Sequence, residues 1–234
     1  MEPDDPCRTR AVSTEVVERT SGRAGELVLR RDGEHHEIVA NGVFLMDTRG
    51  GRSERLLVTA TADRMPPPGR MLIGGLGVGF SLAAALVHPA VTSVEVVEYE
   101  PAVIRWNRGP LASMHGDALA DPRVTVHEAD VADRLAAAAS GSFDAICLDT
   151  DNGPDWLVSP ANARLYTDSG LTAAAHALSP AGVLSVWSAA PSPALAARMG
   201  GLFTEVTTLE VPVPRGAPDV VVLGIGPRGS EWEG

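Results

Sequence analysis

The chain has 234 residues, of which 44% are hydrophobic but only 4% aromatic, and its formal net charge is -11. This length allows one large α/β domain with a small appendage, packed mainly by aliphatic side chains. The acidic balance argues against nucleic acid as a partner, because a phosphate backbone is bound by basic surfaces.

Targeting and redox signals are weak. No apolar run reaches the ~18 residues of a membrane-spanning helix, so no membrane partner is expected. The first residues carry neither the basic segment nor the apolar segment of a signal peptide, and a cytoplasmic protein is predicted. Cys7 and Cys147 form no metal-ligand spacing and make a poor disulfide pair, so no metal site is expected.

The N-terminal part predicts a tail followed by a small sheet. Residues 1–24 are polar and mixed in charge, and they are expected to form a flexible tail. The pairs Asp32-Gly33 and Asn41-Gly42 then interrupt apolar stretches, which is a strong hairpin signal. A small β-hairpin domain is therefore predicted over residues 25–52.

Strand-like runs alternate with helical patterns in the rest of the chain, which predicts a parallel sheet with right-handed crossovers. Two further apolar runs flank a Pro/Gly-rich turn near the end and predict a terminal antiparallel hairpin. A Rossmann-like domain is expected over residues 53–226, with a flexible tail at 227–234. Strands are expected at 71–74, 93–98, 123–127, 143–149 and 182–188, and helices at 53–65, 79–88, 101–107, 131–139 and 160–178.

A glycine cluster follows the first strand of this domain. Gly74, Gly75, Gly77 and Gly79 open a predicted helix, and glycine lets the backbone turn tightly and approach a ligand closely. Glu98 ends the next strand, where a carboxylate can accept hydrogen bonds from both hydroxyls of a ribose. The pattern predicts a nucleotide site at the carboxyl edge of the sheet.

Three further positions border this predicted site. Tyr99 follows the ribose acid directly. Asp130 ends the next strand, where it is either a ligand of the adenine amino group or the N-cap of a helix that begins at Val131. Glu100 is either a second ligand or a helix N-terminal charge.

The segment "LDTDNGP" ends the fourth strand of the domain with two carboxylates on a turn. Asp149 and Asp151 are candidates for orienting or deprotonating an amine nucleophile, or for offsetting the charge of a sulfonium. The alternative for Asp151 is an Asx-turn that only shapes the loop. Tyr166 and Trp187 are predicted near the crevice edge, where either would contact an acceptor.

These segments together resemble the spermidine synthase family of class I S-adenosylmethionine-dependent transferases. The resemblance rests on "LIGGLGVGF", "VEVVEYEPAVI", "LDTDNGP" and "ARLYTDSGL". It implies a mixed seven-stranded sheet with the last strand antiparallel, preceded by the small β domain. It also implies that Glu98 binds ribose, that Asp130 and Val131 border adenine, and that Asp149 is the catalytic or amine-holding carboxylate.

Departures from the family pattern bear on the reaction. Gly77 stands where aminopropyltransferases carry an aspartate that holds the donor ammonium. Met46 replaces a glutamine, and Arg52 stands at the tyrosine of a Tyr-His-Glu stretch. We therefore hypothesise that Arg52 binds the carboxylate of intact S-adenosylmethionine, since a guanidinium forks well onto a carboxylate. The alternative is a surface arginine paired with Glu54.

The expected function is transfer of an alkyl group from S-adenosylmethionine, or its decarboxylated form, to a small-molecule acceptor. Methyl transfer is the first expectation, and aminopropyl transfer to a polyamine is the alternative. A non-catalytic nucleotide-binding partner protein is a further alternative. A homodimer paired through the N-terminal hairpins is compatible with this scaffold.

Overall fold

The computed structural model describes residues 14–229, and it begins with a four-stranded antiparallel sheet. The turn between the last two strands has positive φ at both Asn41 (50°) and Gly42 (79°). Two such residues are the requirement of the tight hairpin turn that the sequence predicted. The strands run in spatial order β1-β2-β3-β4, with β1 at Glu15–Gly22, β2 at Gly25–Asp32, β3 at His35–Ala40 and β4 at Val43–Asp47.

The prediction of a tail over residues 1–24 is wrong for its second half. Strand β1 occupies Glu15–Gly22 and pairs with β2 along its length. Its pattern is difficult to recognise, because it is an edge strand with Val16 and Val17 exposed. The described part of the chain excludes residues 1–13 and 230–234. Of the second predicted tail at 227–234, Pro227 still belongs to a strand.

The second sheet has seven strands, in the order β10-β11-β9-β8-β5-β6-β7. Strand β11 is antiparallel to both β9 and β10, and the other pairs are parallel. This is the predicted mixed sheet with its last strand reversed. The strands are β5 at Gly69–Gly74, β6 at Val91–Glu98, β7 at Val124–Glu128, β8 at Phe143–Leu148, β9 at Leu178–Ser188, β10 at Phe203–Val211 and β11 at Asp219–Pro227.

Helices cover both faces of this sheet, and the sheet separates the core into two clusters, one on each face. Strands covered on both faces read as continuous apolar runs, as in the four buried residues Ala145–Leu148 at the end of β8. The helices are α1 at Arg52–Ala62, α2 at Phe80–Val87, α3 at Pro101–Asn107, α4 at Val131–Ala136, α5 at Asp168–Ala177 and α6 at Pro193–Leu202.

Two helical details differ from the prediction. The stretch 160–178 contains a 3-10 helix at Pro160–Tyr166 and then α5, whose first turn is capped by Thr167 through the amide of Gly170 at 3.1 Å. Helix α6 was not predicted. No helix among residues 14–229 combines the length and the apolar character that a membrane crossing requires.

Strand register brings the predicted site residues to one edge of the sheet. Gly74, at the end of β5, is opposite Val97 on one neighbour and Leu148 on the other. The next residues along these three strands are therefore Gly75, Glu98 and Asp149. Because parallel strands present their carboxyl ends at one edge, these three residues meet there.

Candidate active site

A cavity lies at this edge, between the large sheet and the N-terminal sheet. The loops that follow β5, β6, β7 and β8 form one side of it. Strands β2, β3 and β4 contribute Leu27, Ile38 and Met46 to the other side. The N-terminal sheet therefore encloses a site whose polar groups come mainly from the Rossmann-like domain.

The four glycines of the predicted loop have different positions. Gly75 and Gly77 line the cavity. At Gly75, where φ is 91°, a Cβ atom would lie 2.0 Å from the carbonyl oxygen of Asp149, so the glycine loop and the turn that begins at Asp149 touch only because this residue is glycine. Gly74 accepts a hydrogen bond from the amide of Asp149 at 2.8 Å, and Gly79 precedes α2.

Glu98 is buried at the predicted place and holds the glycine loop. Its two carboxylate oxygens accept hydrogen bonds from the amides of Leu76 (2.9 Å) and Glu100 (2.7 Å). Burial raises the pKa of Glu98, and these two amide hydrogen bonds oppose the shift. Each carboxylate oxygen has a second lone pair, so the side chain can still accept hydrogen bonds from a diol in the cavity.

The predicted adenine end is formed by residues that follow β6 and β7. Asp130 caps α4 by accepting a hydrogen bond from the amide of Ala132 at 2.8 Å, and its other oxygen pairs with Arg164 at 2.6 Å. The N-cap interpretation is therefore confirmed, while Asp130 also lines the cavity beside Val131 and Tyr99. Sequence reasoning could not foresee Arg164, which comes from the 3-10 helix at Pro160–Tyr166.

Asp149 is a partly buried carboxylate beside other acids. Its Oδ2 accepts a hydrogen bond from the hydroxyl of Ser81 at 2.6 Å. Burial, followed by the negative charge of Glu54, raises the pKa of Asp149 to about 7, although the Ser81 hydrogen bond opposes the shift. A carboxylate with such a pKa can take up and release a proton near neutral pH.

Asp151 has a different environment. Its carboxylate accepts hydrogen bonds from the amides of Asn152 (2.8 Å), Val158 (2.7 Å) and Ser159 (3.1 Å), and from the side chain of Asn162 (2.9 Å). These four bonds occupy most of its acceptor capacity. The geometry favours the alternative in which Asp151 shapes the loop that borders the cavity.

Tyr166 does not line the cavity, contrary to its predicted role as a contact of the acceptor. The ring is buried in the core beneath the loop, and its hydroxyl lies 3.2 Å from the Thr150 hydroxyl. Burial raises the pKa of Tyr166 to about 12, so the phenol stays protonated. Trp187 is in the cavity wall, at the position predicted for it.

Arg52 also lies outside the cavity, and the predicted contact with a donor carboxylate has no support. It is the exposed first residue of α1, whereas Glu54 lines the cavity. Residues two positions apart on a helix are separated by about 200° around its axis, so Arg52 and Glu54 point to opposite sides. Glu54 receives no ion pair from Arg52 within residues 14–229, and its Oε2 lies 3.0 Å from the Ser53 hydroxyl.

The charges of the cavity wall have one sign. Among the described residues that line it there is no lysine, arginine or histidine, whereas seven are acids. Such a wall attracts a cation and repels a carboxylate. The acids are Glu26, Glu54, Glu98, Glu100, Asp130, Asp149 and Asp151.

Comparison with known families agrees with this geometry. Residues 54–197 match the model of the spermine/spermidine synthase domain family, which is more than half of the chain. The chain belongs to this family. The matched segment contains the glycine loop, Glu98, Asp130 and Asp149.

Curated relatives of this chain include two kinds of transferase. A polyamine aminopropyltransferase of Mycobacterium tuberculosis is 31% identical over 170 residues, which are 71% of this chain and 31% of that protein. Putrescine N-methyltransferase 3 of Nicotiana tabacum is 31% identical over 137 residues, which are 56% of this chain and 34% of that protein. The chain thus spans about a third of the length of these relatives.

Solved structures of the family share the fold. A spermidine synthase crystallised with the transition-state analogue AdoDATO has a TM-score of 0.79 and 18% identity, with 90% of this chain and 73% of that chain covered. The spermidine synthase of Thermotoga maritima has a TM-score of 0.75 and 18% identity, with 92% and 73% covered. At this identity the likeness establishes the architecture alone.

Proposed function

We propose that this protein transfers the aminopropyl group of decarboxylated S-adenosylmethionine to a small amine. The observation that carries the proposal is the cavity wall, where the described lining residues include seven acids and no lysine, arginine or histidine. Both the sulfonium donor and an ammonium acceptor are cations. The intact donor also carries a carboxylate, for which this wall offers no basic partner.

The residues present fit an adenosyl sulfonium. Glu98 can accept hydrogen bonds from the ribose hydroxyls, and Asp130 and Val131 border the adenine end. The glycine loop, closed against Asp149, would support the sulfonium centre. The donor supplies an alkyl carbon activated by a positively charged sulfur, and the carbon–sulfur bond breaks as the acceptor nitrogen forms its new bond.

Asp149 is suited to the proton transfer of this reaction. An amine attacks carbon only through a free lone pair, so the ammonium form must lose a proton. With a pKa near 7, the Asp149 carboxylate can accept that proton, and the Ser81 hydroxyl fixes its orientation. Glu54 adds negative charge that attracts the cationic acceptor. Positioning of the two reactants contributes the rest of the acceleration.

Methyl transfer from intact S-adenosylmethionine is the second candidate. Gly77 faces the Sδ atom of Met46 at the position where the family pattern carries an aspartate for the donor ammonium, so this end of the cavity is less polar than the pattern requires. One group of relatives is named putrescine N-methyltransferase. Both observations favour a donor tail that is held differently from that of the aminopropyltransferases.

Product analysis separates the candidates. The purified protein is incubated with a diamine and either donor, and the products are identified by mass spectrometry. We expect methylthioadenosine and an aminopropylated amine from the decarboxylated donor. Methylated amine and S-adenosylhomocysteine from the intact donor would support the second candidate instead. Binding of both donors without product would favour the non-catalytic alternative.

A further inference from the structure

One carboxylate of the large domain binds both backbone amides of the turn between β1 and β2. The two oxygens of Glu100 accept hydrogen bonds from the consecutive amides of Arg23 and Ala24, each at 2.8 Å. Glu100 itself is buried. A buried carboxylate that accepts two backbone hydrogen bonds forms a strong and directional attachment.

The surroundings of this attachment are closely fitted. A Cβ atom on Gly22 would lie 2.4 Å from Glu100 Oε2, so the turn approaches the carboxylate as closely as a glycine permits. The Arg23 guanidinium donates to the carbonyl oxygen of Tyr99 at 3.1 Å and lies over the Tyr99 ring at 5.4 Å. It also pairs with Glu128 at the end of β7.

The same attachment continues to the predicted ribose acid. The amide of Glu100 donates to Glu98 at 2.7 Å, and the other Glu98 oxygen accepts from Leu76 in the glycine loop. Ala24, on the other side of Glu100, lines the cavity. One chain of hydrogen bonds therefore joins the glycine loop, Glu98, Glu100 and the turn.

We propose that Glu100 is a positioning residue that holds the turn at 22–25 as a wall of the donor nucleoside site. It acts through the backbone of Arg23 and Ala24 and does not need to touch the ligand. The sequence predicted that Glu100 is either a ligand contact or a helix N-terminal charge, and the hydrogen bonds point to a third role. The inference rests on the proposed function only in that the ligand is an adenosyl compound.

The test replaces Glu100 by glutamine, which keeps the shape of the side chain. The carbonyl oxygen of Gln can accept from one amide, but its NH2 group faces the other amide without an acceptor. Glu15→Gln is the matched control, because Glu15 lies on the same hairpin in an exposed ion pair with Arg31. Methylthioadenosine is the calorimetric probe, since it contains the nucleoside without the reactive tail.

We expect Glu100→Gln to weaken methylthioadenosine binding by about tenfold and to raise the donor KM similarly. The acceptor KM and kcat should change by less than about threefold, which is no more than in the Glu15→Gln control. Hydrogen exchange at Arg23 and Ala24 should become faster. A merely structural defect would instead lower the melting temperature and affect donor and acceptor alike.

A second variant approaches the attachment from the other side. Gly22→Ala crowds Glu100, and it should weaken probe binding in the same direction. Unchanged binding in both folded variants, with faster exchange at the turn, would overturn the inference while leaving the proposed function intact. Failure of the wild-type protein to bind any adenosyl compound would instead refute the proposed function itself.

Discussion

Asp149→Asn separates the chemical role of this residue from its cost to stability. Asparagine has nearly the same shape and can still accept the Ser81 hydrogen bond, but it can neither ionise nor take up a proton. If Asp149 is the base, the substitution should lower kcat by about 10²–10⁴-fold. Nucleoside binding should change little, because Glu98 and the glycine loop are retained.

The pH dependence follows from the raised pKa of Asp149. With a pKa of about 7, roughly a tenth of the carboxyl group is ionised at pH 6 and about nine tenths at pH 8. The wild-type rate should therefore rise through pH 7 as pH increases. Ser81→Ala removes a hydrogen bond that lowers this pKa, so it should move the rise to higher pH.

The contribution of Asp149 to the free energy of unfolding should change with pH in the opposite direction to the rate. Between the ordinary pKa of 3.8 and about 7, the folded protein binds a proton at Asp149 that the unfolded chain does not bind. The unfolding free energy of the wild type relative to Asp149→Asn should thus fall with rising pH in this window, by at most about 1.4 kcal/mol per pH unit. The variant should be the more stable protein at pH 8.

The assays are a pH–rate profile and chemical denaturation at pH 5 and pH 8 for both proteins. The difference between the two proteins isolates Asp149, because other titrating groups are common to them. A flat rate between pH 6 and pH 8, or a variant that is less stable than the wild type at pH 8, would refute the reasoning.

Three further predictions concern residues around the cavity. Arg52→Ala should leave the dissociation constants of both donors unchanged in calorimetry, because the Arg52 side chain is exposed outside the cavity. A loss of affinity for the intact donor alone would restore the carboxylate-binding hypothesis. Asp151→Ala should lower stability by about 1–3 kcal/mol and speed proteolysis of the segment at 152–162, since several partly buried donors lose their acceptor. Unchanged protease resistance would contradict this role. Gly77→Asp should bind the decarboxylated donor more tightly than the wild type only when it is combined with Met46→Ala, because a Cβ at Gly77 would lie 2.3 Å from the Met46 sulfur. Equal affinity of the single and double variants would show that Met46 does not limit the site.

The sequence predicted the parts of the site that depend on strand ends. Gly75, Glu98 and Asp149 each follow a buried apolar run, and parallel strands bring such positions to one edge. The hairpin at Asn41-Gly42 was also predictable, because its backbone conformation demands these residue types. In both cases local pattern and tertiary structure agree.

Other features depend on geometry that no local pattern contains. Arg52 was a reasonable candidate from its position in the chain, but the start of α1 turns it outward and Glu54 inward. Glu100 was recognised only as a helix charge or a ligand, since its true partners are backbone amides 76 and 77 residues earlier in the chain. Strand β1 was hidden because an exposed edge strand lacks a continuous apolar face.

Calorimetry of the wild-type protein with decarboxylated and intact S-adenosylmethionine, at one pH and salt concentration, tests the central claim most directly. A cavity wall whose charged residues, in its described part, are all acids should bind the decarboxylated donor more tightly, because only the intact donor brings a carboxylate against those acids. Tighter binding of the intact donor would contradict the account.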